Sequence, residues 1–569
     1  MNGALFLALR RMRAPLLVLI ASYAISILGL VLIPGRDGQG LPWQMGFFHA
    51  FYFVSYTATT IGFGEVPHAF TDTQRLWVTF TIYLTVVAWF YALGKIIALT
   101  QEPAFRQVLA RARLQRKVRR MREPFYIVCG YGETGSALVA ALDRRGIRCV
   151  VLDLNPERVA EADMAGLSVD TPALAADVRA GESLIVAGLR SPHCLGVVAL
   201  TNDDRANLAV AVGTKLLRPE LEVLCRCESR DVAANMASFG TDHIVNPYES
   251  FARHLGIAMR ASGLYLLREW LTATPDELLP EPRFPPLGQW VLCGFGRFGR
   301  EIAHCLDREG IHCTMIDADP AAVQGVASGI LGSGTEAAVL EKAGIRGAAG
   351  LVAGTSSDVS NLAVVMTARE LNPELFVILR RNQRSNAVLT DAVGAQMVMQ
   401  PAAVVVHEAM ALLTEPLLAR FLAEVRQRDN DWANEVIARL VGILGEHAPE
   451  TWTFAVEPRA CPALHEAAGR GAVSVGDLGR DPRDRAELLP VVALAIERNG
   501  DLLLLPLDAD RLRIGDRVLF CGRGRGRRKQ QFLVHDANAL RYVLTGEDVP
   551  GGWIWQRLAS RRRARPAGA

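Results

Sequence analysis

The sequence predicts a membrane α-helical part with two spans and a re-entrant loop, then cytoplasmic Rossmann-like α/β domains and a small C-terminal β-rich lobe. Three observations predict it: two long uncharged apolar runs before residue 100, a strand–glycine turn–helix pattern that occurs twice after residue 124, and short apolar strands after residue 433. At 569 residues the chain is too long for one domain. Half of it is apolar, and that excess is concentrated before Thr100. The net charge of +3 is too small to argue for nucleic acid, and none is expected as a partner. Ten scattered cysteines with no CxxC spacing read as reduced intracellular thiols, most of them in the core.

The first apolar run, Pro15 to Ile33, is long enough to cross a bilayer core and follows Arg10, Arg11 and Arg13. The second, Leu76 to Gly94, precedes Lys95 and a basic stretch from Arg106 to Arg122. Only two arginines fall between Pro34 and Arg75 before the second span begins, so both termini are expected in the cytoplasm, with a multi-pass chain in the cell (inner) membrane. A signal peptide does not fit the first run, because its apolar core is too long and no small-residue cleavage site follows. No span carries a regular arginine ladder, which excludes an attached voltage sensor.

Between the spans, Trp43 to Thr59 is apolar, aromatic and too short for a further crossing. It leads into Thr60-Ile61-Gly62-Phe63-Gly64. Non-helical backbone at membrane depth is tolerated where it is buried in protein or lines a water-filled path. Desolvating K⁺ requires oxygens that replace its hydration shell, and rows of backbone carbonyls supply them without fixed charge. Gly62 and Gly64 permit the dihedrals that turn successive carbonyls the same way, and the Thr60 hydroxyl adds a further oxygen. These five residues are therefore the expected K⁺ filter. One chain gives one strand, so a closed filter requires four chains.

The cytoplasmic pattern opens with Gly130-Tyr131-Gly132-Glu133-Thr134-Gly135 after an apolar strand, and a second strand ends at Asp153. It returns as Gly294-Phe295-Gly296-Arg297-Phe298-Gly299 with a strand ending at Asp317. Each aspartate lies 23 residues beyond the first glycine of its motif, and a shift of 164 superposes the two. A lone GxGxxG is weak evidence; strand, helix, acid at ribose distance and duplication together define a nucleotide-binding unit. Backbone N–H groups at the helix start can hold a pyrophosphate, and the acids favour NAD or an ADP/ATP-type nucleotide over a 2′-phosphorylated one. Arg297 can meet a phosphate, whereas Glu133 at the matching place would repel one, so the second site is the better candidate. Thr201 and Thr355 open polar loops that could contact adenine or could simply serve turn and helix-cap roles.

The motifs TATTIGFGE (57–65), GYGETG with VVLD, GFGRFG with MID, and GDRVLFCG (515–522) resemble the two-transmembrane prokaryotic potassium channels that carry tandem RCK (TrkA-N, KTN-like) gating domains. The resemblance covers nearly the whole chain. It implies a homotetramer in a lipid bilayer, a cytoplasmic gating ring, and ligands drawn from NAD(H), adenine nucleotides and divalent ions such as Ca²⁺. The expected division is a pore domain (1–100), a basic linker (101–123), a first RCK domain (124–274), a proline-rich linker (275–288), a second RCK domain (289–432), a C-terminal lobe (433–545) and a basic tail (546–569). Two features depart from the family. No glycine stands between Glu65 and Gly94 to hinge the inner helix, so opening is expected either to bend it lower, at Gly94, or to take another route. The first RCK unit also lacks a lobe of its own, and no acidic spacing defines a Ca²⁺ site. The alternatives are a membrane-anchored NAD-dependent oxidoreductase, for which no acid–base constellation is found, and a regulatory subunit of a K⁺ uptake system, which would need no filter. No enzymatic activity is expected.

Overall fold

The computed structural model describes residues 2–273, 278–279 and 284–547. Pro275, Pro280 and Pro282 of the expected linker, and the expected tail beyond 547 with Arg561–Arg563, lie outside the described residues. Two compact units divide the chain. One is Met1–Pro124 with Val150–Met164 and Thr171–Cys194; the other is Phe125–Cys149 with Ala165–Asp170 and Leu195–Ala569.

The chain opens with α1 (Asn2–Leu32), a short hairpin of β1 (Gly35–Arg36) and β2 (Pro42–Trp43), α2 (Phe47–Ala58), α3 (Asp72–Gln101) and α4 (Pro103–Arg120). Next come β3 (Phe125–Cys129), α5 (Glu133–Arg144), β4 (Arg148–Asp153), α6 (Pro156–Met164), β5 (Ala173–Ala175), α7 (Gly181–Val186) and β6 (Cys194–Ala199). This repeat ends with α8 (Asp204–Leu217), β7 (Glu222–Arg226), α9 (Arg230–Ser238), β8 (His243–Val245), α10 (Pro247–Arg260) and α11 (Ser262–Thr272).

The same order then returns with β9 (Trp290–Cys293), α12 (Arg297–Arg308), β10 (Cys313–Asp317), α13 (Pro320–Val323), β11 (Gly329–Leu331), α14 (Ala337–Lys342) and β12 (Gly350–Ala353). It closes with α15 (Asp358–Leu371), β13 (Phe376–Arg380), α16 (Ala387–Ala392), β14 (Met397–Met399), α17 (Pro401–Thr414) and α18 (Pro416–Val425). After α19 (Asn430–Leu444) the lobe holds β15 (Glu450–Ala455), α20 (Pro462–Gly469), α21 (Val475–Leu478), β16 (Val491–Arg498), β17 (Asp501–Leu504), β18 (Arg517–Gly522), α22 (Gly524–His535) and α23 (Ala537–Thr545).

In the first unit, Met12–Leu32 and Asp72–Gln101 are the helices long and apolar enough to span a membrane. They pack through a small residue against a large one: a Cβ on Gly29 would lie 2.0 Å from the Trp77 ring. The Trp77 indole N–H donates to the Ser26 carbonyl at 3.1 Å, which satisfies its only polar group at that crossing. A capping box of Thr71 and Gln74 starts α3, and the helix runs unbroken through Gly94. The expected basic linker is helical. Pro103 occupies the first turn of α4, and Lys117, Arg119 and Arg120 in its last turn complement the helix dipole. Leu114 and Val118 on α4 are buried, and the helix packs on β5 and α7. In the same unit β4 and β5 pair in parallel, Val151 opposite Ala173.

In the second unit, the second repeat forms a six-stranded parallel sheet of order β11-β10-β9-β12-β13-β14. Strand order reverses beside β9, and that switch point opens a crevice at the strand ends, where the Gly294 loop stands. The first repeat shows the corresponding parallel run β6-β7-β8. The shift of 164 holds from α5 to α12 and from Asp153 to Asp317, then falls to 154 from α8 to α15 onward. Most of the difference sits in the connection after β4, where α6 has nine residues and its counterpart α13 has four, and the rest falls between α7 and β6.

Each repeat lends a helix to the other: α10 packs on α12, and α17 packs on α5. The Cys305 thiol donates to the Ala252 carbonyl at 3.0 Å in the first of these, and the Tyr126 hydroxyl donates to the Leu413 carbonyl at 3.1 Å beside the second. The pair α17–α18 also passes a length-and-composition test for a bent span, with a 115° break. Val405 and Ala409 are buried in the domain, and the break at Glu415 repeats the one at Ala261 between α10 and α11. The pair is thus a recurring domain element.

The lobe is a four-stranded antiparallel sheet of order β15-β18-β16-β17. Leu267 and Trp270 of α11, Leu417 and Phe421 of α18, and Leu494 and Leu519 of the sheet share one core. Both helix pairs therefore converge on the single lobe, which explains why the first repeat needs none of its own. Nine of the ten cysteines are buried and all are free, as expected. Burial pushes the Cys149, Cys293 and Cys313 thiols up to about 12, which leaves them inert.

Candidate functional sites: the filter loop and two glycine loops

Helix α2 ends at Ala58, and the chain leaves it along Thr60–Gly64 without regular structure. Gly62 and Gly64 adopt φ of 66° and 95°, the left-handed region that their residue type permits, and Thr60 also has a positive φ of 64°. The loop is tied back to its helix: the Tyr56 carbonyl accepts from the Ile61 N–H at 2.9 Å, and the Tyr56 hydroxyl donates to the Gly64 carbonyl at 2.5 Å. Phe63 packs edge-on against Tyr56. Beyond the loop, Glu65 accepts from the Phe70 N–H at 2.8 Å and from Arg75 Nε at 2.8 Å, which fastens the loop's far end to the start of α3. Residues 60 to 64 are all exposed on the single chain, Ile61 and Phe63 at 60% and 63%. The loop is thus braced against α2 and α3 while residues 60–64 stay exposed on the single chain.

The glycine loops have matching backbones. Gly130 and Gly294 have φ of 100° and 95°, and a Cβ on either would lie 2.9 Å from the backbone nitrogen of Thr201 or Thr355. Gly132 and Gly296 cap α5 and α12 with extended backbones. Gly135 and Gly299 let their helices approach the loop: a Cβ there would lie 1.9 and 2.1 Å from the Gly130 and Gly294 carbonyls. A Cβ on Gly296 would meet nothing within 4 Å, so the space in front of α12 is open. The first-turn N–H groups of such helices have no intrahelical partner and can hold an anion.

Asp317 stands at the second loop, accepting from the Phe295 N–H at 2.6 Å and the Asp319 N–H at 2.8 Å, and its oxygens keep lone pairs for ribose hydroxyls. Asp153, at the end of β4, is buried and accepts from the Asn155 N–H at 2.8 Å, with Arg158 at 3.7 Å. Phe298 is wholly buried against Tyr248 and Phe251, so its ring belongs to the core. The Thr355 hydroxyl is committed to Asn361 at 2.7 Å, and Asn361 bridges to the Arg380 carbonyl at 2.9 Å. Thr201 and Asn207 repeat this arrangement with the Arg226 carbonyl. These threonines pin the loop through turn hydrogen bonds, accepting from the Asp203 and Ser357 N–H groups, while Asp203 and Ser357 themselves cap α8 and α15.

Electrostatics differ from the expectation drawn from Glu133 and Arg297. Arg226, at the end of β7, is nearly buried and donates to Thr134 Oγ1 at 3.3 Å and Asn202 Oδ1 at 3.0 Å, so the first loop has a cation too. Arg297 Nη1 pairs with Glu228 at 2.8 Å. The counterpart of Arg226 is Arg380, which stacks on the Tyr248 and Phe298 rings at 5.1 and 5.9 Å because Phe298 replaces Thr134. Arginines ending both strands, 154 residues apart, were the signal in the sequence. Among the described residues no group of three or more His, Cys, Asp or Glu could hold a metal, so the Ca²⁺ expectation finds no site there.

Fold and loops together define a chain with two helices of membrane-spanning length, an irregular glycine loop between them and a duplicated Rossmann domain. An ion-channel family model matches residues 15–102, and the TrkA-N domain model matches residues 126–247 and 290–401. The chain therefore carries an ion-channel domain and two TrkA-N domains, a composition that fits a two-transmembrane potassium channel with RCK domains. It is similar to an uncharacterized protein of Methanothermus fervidus, 26% identical over 225 residues, 40% of this chain and 34% of the relative. It is also similar to potassium channel protein 1 of Methanocaldococcus jannaschii, 25% identical over 203 residues, 36% of this chain and 59% of the relative. The chain thus spans a third to three-fifths of these relatives. A solved GsuK channel aligns over 93% of this chain and 98% of its own, with 16% identity and a TM-score of 0.46.

Proposed function

We propose that the chain is one subunit of a K⁺-selective homotetramer in the cell membrane, with both termini cytoplasmic, and that nucleotide at the glycine loops sets its open–closed equilibrium. The observation that carries the reading is the loop 60–64, with Gly62 and Gly64 left-handed and Tyr56 bracing both ends. Four such strands would surround an ion with carbonyl oxygens and no fixed charge. The duplicated glycine loops, each at a helix start, offer phosphate sites, and Asp317 offers a ribose partner. NAD and ADP/ATP-type nucleotides both suit this chemistry. A ligand shifts the pore only by its differential affinity for the two states.

Full-length protein in liposomes tests both halves. K⁺ flux should exceed Na⁺ flux, and NAD, ADP or ATP should change it. Equal flux of the two ions would overturn the filter assignment. K⁺ flux indifferent to all three nucleotides would overturn the gating assignment alone.

A further inference from the structure

Glu228 is a carboxylate shared by two arginines that serve different glycine loops. One oxygen accepts from Arg226 Nη2 at 2.5 Å, and the other meets Arg297 Nη1 at 2.8 Å. Arg226 touches the first loop through Thr134 on α5, and Arg297 is the first residue of α12 behind Gly296. The Glu228 side chain is only 10% exposed, and that of Arg226 11%, whereas Arg297 is 65% exposed. The Glu228 backbone is fixed as well, its N–H donating to both Asp204 oxygens at 3.1 Å, so the carboxylate cannot swing out to water with its main chain.

We propose that Glu228 couples the two loops, so that a phosphate-bearing nucleotide bound at one weakens binding of a second at the other. This deepens the nucleotide reading above and rests on it. A phosphate at the second loop draws Arg297 away and leaves Glu228 to Arg226. A phosphate at the first loop draws Arg226 away and leaves Glu228 to Arg297. Either state keeps one cation on the buried carboxylate. Filling both loops removes both cations, and an uncompensated buried charge is strongly unfavourable. The chain therefore holds one nucleotide more readily than two, although both loops have the backbone to bind.

Calorimetric titration of the full-length protein in nanodiscs tests the coupling, with ADP as probe and adenosine as the phosphate-free control. Wild type should show two ADP events per chain separated by about tenfold in affinity, a coupling within the range found for linked sites. Glu228→Gln should bring the two affinities together, Glu228→Asp should keep them apart, and adenosine should show no separation. Equal ADP affinities in wild type would overturn the coupling and leave the nucleotide reading intact. A separation that survives in Glu228→Gln, or is lost equally in Glu228→Asp, would overturn the role of the carboxylate. Absence of any ADP binding would instead overturn the nucleotide reading itself.

Discussion

A methyl group added at Gly294 and one added at Gly296 meet opposite surroundings two residues apart. At Gly294 the backbone has φ of 95° and the new Cβ would press to 2.9 Å on Thr355 N, so Gly294→Ala should lower stability by about 1–3 kcal/mol. At Gly296 φ is −74° and nothing lies within 4 Å, so stability should stay within about 0.5 kcal/mol of wild type. The Gly296 methyl would instead occupy the space of a pyrophosphate, and ADP affinity should fall. Thermal melting beside ADP titration of both variants separates the effects; a Gly296→Ala protein that binds ADP normally would remove the phosphate from that loop. The glycines were legible in the sequence because left-handed backbone or close approach dictates their type. Glu228 was not, because its second cation, Arg297, comes from the other repeat, and pairing at a distance leaves no local pattern. Phe298 and Thr355 read as ligand contacts until burial and the Asn361 bridge placed them in the scaffold.

Helices α10 and α17 carry His254 and Glu408 at equivalent positions, 154 residues apart, facing each other with 3.9 Å between Nε2 and Oε1. A symmetric pair of identical repeats would bring like residues together here, and the duplication has let them diverge. His254 Nε2 is buried without a hydrogen-bond partner, and Arg268 also stands 3.9 Å from Glu408. Burial first, then the nearby charges of Arg268, Arg253, His407 and Arg426, hold His254 well below the usual histidine range of 6.5. The unfolded chain therefore takes up a proton below pH 6.5 that the folded chain refuses, and stability falls as pH drops through that value. His254→Gln should flatten this acid limb of the melting temperature; an equally steep limb in the variant would place the sensitivity elsewhere. The existence of these helices was legible from Asn246-Pro247 and Gln400-Pro401, since proline suits the first turn. Their exchange between repeats was not, because periodicity shows which face is apolar but not which helix covers it.

At the scale of the whole chain, the duplication, the two spans and the terminal lobe were readable, because glycine motifs, uncharged length and strand alternation are local properties. The drop in repeat shift from 164 to 154 was hidden by the connections after β4 and after α7, where insertion costs little. The basic stretch after the inner helix was read as a linker, and its helical form changes what it can transmit. Helix α3 passes through Glu102 into α4, and α4 buries Leu114 and Val118 while packing on β5 and α7 of the first repeat. A helix seated on a regulatory domain moves with it, whereas a flexible chain takes up slack at small entropic cost. A Gly/Ser segment of about ten residues inserted between Glu102 and Pro103 spans roughly 15–20 Å as a random coil, which is enough to absorb a helix displacement. Such a protein should still conduct K⁺ in liposomes but should lose its response to nucleotide, while its ADP affinity stays unchanged. Flux that still follows ADP after the insertion would show that force reaches the pore by a route other than α4.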